Sequence, residues 1–203
     1  MKEFDIRKMF SARKPAAQQA LERFRSRYQS YLEINSTVAL NILVWGPSLR
    51  STSRVANKRQ EIYRELLRQG HNAMFSEELV MDTADSTEER SNLKRDERAQ
   101  ARAADYIIVL LGEDATGALG EIHDFSGDIA IAWKLFVLAP ESYQQSYAGH
   151  GTLGILKELF NGVYWYADSE IESCSVLTEA LIRVDTVREL YAYSPSRGFG
   201  GIE

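Results

Sequence analysis

With Cys174 as its only cysteine, the chain can form no intramolecular disulfide, and a cysteine-held zinc cluster is disfavoured. No apolar run approaches the ~20 residues needed to cross a bilayer. Met1-Lys-Glu-Phe-Asp-Ile-Arg-Lys8 lacks the charged-then-apolar layout of a secretory signal. Cytoplasmic residence without a membrane partner is the resulting expectation. A basic excess is missing as well. The formal net charge is -5 and the pI is about 5.4, which disfavours a nucleic-acid partner. A few local basic residues around one small phosphate remain compatible with that balance.

The loop after the first strand lacks two phosphate-binding signatures. No Gly-Lys-Ser/Thr ends it, and it does not carry the three-glycine dinucleotide fingerprint, so ATP hydrolysis and hydride transfer are disfavoured. Gly-x-Ser-x-Gly is missing, which removes Ser48 as an elbow nucleophile. No repeats or low-complexity linkers occur.

What is present suits one well-filled α/β domain with a helical extension: 203 residues, 44% hydrophobic and 26% charged. Residues 1–37 read as a helical extension, with Ala16, Ala17, Ala20, Leu21, Phe24, Tyr28 and Leu32 on one stripe. That stripe is expected to pack on the domain or on another subunit. Residues 38–193 alternate strand and helix, and 194–203 read as a flexible tail.

The strand-like runs are Val38–Trp45, His71–Phe75, Asp105–Leu111, Lys134–Leu138 and Val163–Tyr166. Helices are expected over 53–69, from Ser86 to about Ala104, from Gly117, over 151–160 and over 170–191, with a polar loop over 76–87. This alternation predicts a flavodoxin-like or Rossmann-like five-stranded parallel sheet flanked by helices, with an extra N-terminal helix. Ligands in such sheets sit beyond the carboxyl ends of the strands, where strand order switches. The segments after Trp45 and after Leu111 are therefore the places to look.

After the first strand, Trp45, Gly46, Pro47 and Ser48 could line a ligand, with Ser51, Thr52 and Ser53 capping the next helix. Arg50 and Arg54 could add charge-assisted contacts to a phosphate. A capped turn serving only its own helix is an equal reading of the same residues. After the third strand, Thr116 can cap a helix opening Gly117-Ala-Leu-Gly-Glu121, whose small residues leave space above the first turn. Ile122, Phe125 and Ile129 are expected to form its buried stripe, with Glu121 displaced toward the cleft. A carboxylate there can attack an anomeric carbon or stabilise an oxocarbenium-like charge. Asp105 and Asp114 are expected nearby, orienting a ribose or protonating a leaving base. Ala148–Gly154 reads as a loop and helix start, and His150 there has no visible partner.

The segments Ile42–Ser48, Ala104–Leu111 and Thr116–Ile122 resemble the nucleoside 2-deoxyribosyltransferase family and the related bacterial TIR-like N-glycosidases, over roughly residues 39–168. The resemblance implies that Glu121 is the nucleophile, that Asp105 and Asp114 orient substrate, and that Gly46, Pro47 and Gly117 shape the pocket. It implies NAD or a nucleotide as substrate, no cofactor or metal, and a homo-oligomer or a defence-system partner protein. His123-Asp124-Phe125 replaces the family's Gly-Tyr-Ala-like stretch, which suits a divergent hydrolase. Cytokinin-releasing phosphoribohydrolases are a weaker match. The alternative is a non-catalytic nucleotide-sensing or protein-interaction module of the same fold.

Overall fold

The computed structural model describes residues 6–79 and 87–193, with side chains from residue 17 onward except 79, 87–94 and 116. The chain divides into two compact units, Met1–Val38 and Ala39–Glu203. The first contains helix α1, Ile6–Ser36, on which the rings of Phe24 and Tyr28 stack with centroids 6.3 Å apart.

The second unit is a five-stranded parallel sheet. Its strands are β1 (Asn41–Trp45), β2 (Asn72–Phe75), β3 (Tyr106–Leu110), β4 (Leu135–Pro140) and β5 (Val163–Tyr166). Its helices are α2 (Arg54–Arg68), α3 (Ser76–Leu79), α4 (Thr87–Ala103), α5 (Thr116–Phe125), α6 (Ile129–Ala132), α7 (Tyr147–His150), α8 (Thr152–Phe160) and α9 (Ser175–Tyr193). The strand order is β2-β1-β3-β4-β5, so the expected flavodoxin-like arrangement is present. Register is fixed by pairs such as Val44↔Phe75 and Val44↔Ile108.

Every side chain of β3 is buried, as a central strand covered on both faces requires. One face carries Leu43, Trp45, Ile107, Val109 and Val137 against Ala101, Ala118, Ile122, Phe125 and Leu156. Ile42, Val44, Ile108 and Leu110 point the opposite way by strand alternation. That face is covered by α2 and α9, and Arg183 of α9 lies over the Phe136 ring at 5.1 Å. Fully burying an aliphatic side chain of this size contributes about 1.5–3 kcal/mol, so the two-faced centre dominates stability.

Three expectations change. Ile129 does not extend the stripe of α5: the helix ends at Phe125, and Ile129 is 68% exposed on the separate turn α6. Part of the polar loop over 76–87 is the helical turn α3, while 80–86 lie outside the described residues. The closing helix begins at Ser175 rather than at 170, after the 3-10 turn Asp168–Glu170. The tail, 194–203, is also outside the described residues. No helix among the described residues is long and apolar enough to cross a membrane.

Candidate functional site

Strands β1 and β3 are neighbours, but their outgoing chains diverge. After β1 the chain leads toward β2, and after β3 toward β4 on the other side. The loops 46–53 and 111–115 therefore border the crevice that this strand order opens. Asp114 ties them together: its Oδ2 accepts the hydroxyls of Ser51 at 2.7 Å and Ser53 at 2.8 Å. Partial burial pushes the Asp114 carboxyl up, but the two hydroxyl donors outweigh it and hold it below the usual range. Ser53 also caps α2, accepting the Ala56 amide at 3.1 Å.

Glu121 stands on the second turn of α5, between the buried stripe of Ala118, Ile122 and Phe125 and the solvent. Above the first turn the helix surface is open, because a Cβ added to Gly117 or Gly120 would touch nothing within 4 Å. The Glu121 carboxylate accepts no hydrogen bond from any described residue. Burial pushes its carboxyl up to about 7, helped by the nearby charges of Glu97 on α4 and Glu77 on α3 and opposed by Arg59. A carboxyl titrating there can exchange a proton near neutral pH. In its ionised form it can attack or stabilise an electron-poor carbon.

Arg59 is a buried residue bordering the candidate site that the sequence did not single out. It is 1% exposed on α2, yet fully partnered. Its Nε and Nη2 donate to Val44 O at 3.2 and 2.6 Å, and its Nη1 donates to Pro47 O at 2.6 Å. Glu77 receives two further bonds, at 2.7 Å from Nη1 and 2.6 Å from Nη2. The guanidinium also lies 4.6 Å from the centre of the Phe75 ring. Burial pushes the Glu77 carboxyl up, but the hydrogen bonds and charge of Arg59, with hydrogen bonds from the Glu77 backbone and Ser76, outweigh it and hold it below the usual range. One signal was available: Arg59 falls between Ala56 and Ile62 at helical spacing, an inward position on the stripe of α2.

The other expected site residues divide. Gly46 is held by packing rather than opened to a ligand. Its φ is +154°, and an added Cβ would come 2.8 Å from Leu110 O and 3.1 Å from Arg59 Cδ. Pro47 is buried, and Trp45 is 2% exposed with its ring 5.7 Å from that of Phe125. Its indole Nε1 is buried without an acceptor among the described residues. Trp45 is thus part of the core and offers no stacking surface. Ser48 closes a turn, its Oγ accepting the Arg50 amide at 3.3 Å.

Arg54 is engaged with Asp168, both Nη2 contacts being 3.0 Å, whereas the guanidinium of Arg50 is exposed and meets no described residue. Thr116 begins α5, and its side chain lies outside the described residues; no side-chain bond from Ala115 caps the helix. His123 points to α8, with Nδ1 2.9 Å from Thr152 Oγ1. Ala148–Gly154 forms α7 and the start of α8, with Ser146 accepting the Gly149 amide.

Asp105 requires a correction. It precedes β3, at the amino end, where its Oδ2 accepts the Asn41 amide at 2.8 Å and Asn41 Nδ2 at 3.1 Å. Six residues of extended chain, roughly 20 Å, separate it from the crevice end of the strand. Asp105 therefore does not act with Glu121; it fastens β3 to β1.

Among the described residues no group of three His, Cys, Asp or Glu side chains is arranged to hold a metal ion. Fold and site together define a doubly wound α/β protein with a half-buried carboxyl group at its strand-order switch point. No family model matches the chain, and neither does any curated protein.

Proposed function

We propose that the protein is an N-glycosidase, nucleoside deoxyribosyltransferase-like or TIR-like, that cleaves the N-ribosidic bond of NAD or a nucleotide. The observation that carries this reading is the placement of Glu121 at the switch point, half-buried, beside an open helix surface and near two further carboxylates.

In the reaction, ionised Glu121 faces C1′ of the ribose. As the C1′–N bond breaks, its electron pair leaves with the base and positive charge builds on C1′ and the ring oxygen. Glu121 attacks that carbon or balances its charge, with the negative charges of Glu97 and Glu77 adding to the stabilisation. Water then supplies the hydroxyl at C1′ and releases a proton. Nicotinamide departs neutral, so NAD needs no general acid. A purine would need a proton from a separate donor, because Glu121 acts in its ionised form, so the arrangement suits a base that departs neutral. Exposed Arg50 is the candidate partner for a phosphate. Asp114 acts on the loops rather than on the substrate.

A second reading, a nucleotide-sensing or protein-interaction module, is favoured by one observation. Ser51 and Ser53 are already engaged with the Asp114 carboxylate, in the place an anion would occupy. The experiment is incubation of the pure protein with NAD and a panel of nucleosides and nucleotides, followed by assay of free base. Glycosidase action predicts release that Glu121→Gln lowers by at least about a hundredfold. Binding of a panel member without release, equal in wild type and Glu121→Gln, establishes the sensing module instead.

A further inference from the structure

We propose that Arg59 is the positioning residue of the site: its guanidinium holds the end of β1, the loop after it and α3 in one frame around Glu121. The inference rests on reading Glu121 as the reacting carboxylate.

The geometry is specific. A guanidinium has five N–H donors. Here all five are engaged, by Val44 O (twice), Pro47 O and the two oxygens of Glu77. Arg59 thus has no donor left for a substrate phosphate, and its role is exerted through what it holds. Val44 and Pro47 bracket the turn at which β1 enters the crevice loop. Gly46 lies between them, and Leu110 O together with the Arg59 side chain closes the space a Cβ would take there. On its other side the fork fixes Glu77, one of the two carboxylates whose charge Glu121 feels. A lysine ammonium, with three donors at a single point, cannot span these acceptors.

Among the described residues, the charged groups that act on Glu121 are Glu97 from α4, Glu77 from α3 and Arg59 from α2. With Glu77 paired to Arg59, the position of that pair determines how much of its negative charge reaches Glu121. Arg59 therefore acts on the site twice, by shaping the loop and by placing Glu77.

The test uses the full chain, with Arg59→Lys, Glu77→Gln and, as a control, Ile62→Val, a buried loss on the same helix whose side chain makes none of these hydrogen bonds. Amide hydrogen exchange is followed over residues 46–53, and the Glu121 carboxyl is titrated by carbon NMR. Arg59→Lys is expected to speed exchange in this loop by about tenfold relative to the control. Glu77→Gln removes a negative neighbour and is expected to lower the Glu121 midpoint by about half a pH unit or more. Loop exchange in Arg59→Lys equal to the control overturns the proposal, and so does a Glu121 midpoint unmoved by Glu77→Gln. If Arg59→Lys does not fold, Glu77→Gln decides alone. Both readouts are independent of turnover: absence of base release from the wild type defeats the glycosidase reading and leaves the decision on Arg59 intact.

Discussion

Ser53 and Asp114 join the two loops of the crevice through one hydroxyl, which donates to Asp114 Oδ2 at 2.8 Å while accepting the Ala56 amide at 3.1 Å. The same oxygen therefore starts α2 and ties the loop after β1 to the loop after β3. Ser53→Ala removes both contacts and is expected to cost about 1–2 kcal/mol. At this chain length that lowers Tm by several degrees, about 2–4 °C per kcal/mol. A calorimetric scan checks it. Adding Asp114→Asn should then cost less than it does alone, because the shared contact is already gone.

The raised titration of Glu121 links it to stability with a definite sign. Its ordinary value is 4.5 and its folded value about 7, so between these pH values the folded state holds a proton the unfolded state has released. The stabilising effect of protonation is complete below pH 4.5 and is lost as pH rises through 7. Glu121→Gln removes the burial cost of the charge. It should raise stability by about 2–3 kcal/mol at pH 8 and change it little at pH 4.5. Urea unfolding at the two pH values measures this; an equal change at both would contradict the assignment.

His71 predicts the opposite slope. It lies 3% exposed just before β2, and its Nδ1 accepts the Leu40 amide at 3.2 Å. Burial, aided by the charge of Arg188, lowers it from 6.5 to about 4. The unfolded state therefore binds a proton first as pH falls. Stability contributed by neutral His71 is complete above pH 6.5 and falls toward pH 4, by about 2–3 kcal/mol in all. His71→Gln should flatten that part of the stability profile, whatever its effect at pH 8.

Glycines in the site divide into two kinds, which substitution separates. Gly46→Ala meets Leu110 O and Arg59 Cδ at a φ of +154°, and should cost about 1–3 kcal/mol. Gly120→Ala meets nothing within 4 Å inside a helix and should stabilise by about 0.5–1 kcal/mol. If the open surface above α5 receives the ligand, Gly120→Ala gains stability and loses binding or turnover. Thermal melts paired with the base-release assay show whether the two quantities move apart.

Much of the fold was legible because each strand carried its own evidence. The run Tyr106–Leu110 is apolar throughout, and burial on both faces is the condition that makes such a run stable. The alternation of strands and helices called for a parallel sheet. Glu121 was legible as a crevice residue, since a helix that starts just after a central strand begins at the strand's carboxyl end. Asp105 could have been excluded by the same reasoning, because it precedes that strand and must lie at the other end. Ile129 was misplaced for a different reason: the end of α5 depends on the turn through Ser126–Asp128, and helical spacing carries no signal for where a helix stops.

Tertiary structure decided the chemistry around Glu121. The sequence by itself determined a parallel α/β sheet and placed one carboxyl group at the mouth of its crevice, because local apolar pattern and chain direction suffice for both. It could not determine that Arg59, inward on the stripe of α2, is fully bonded, since its acceptors lie 12, 15 and 18 residues away at Pro47, Val44 and Glu77. Nor could it determine the protonation of Glu121, which depends on burial and on Glu97 and Glu77 brought in by α4 and α3. Electrostatic energy depends on distances through space and on access to water, and neither exists until the strands and helices have packed.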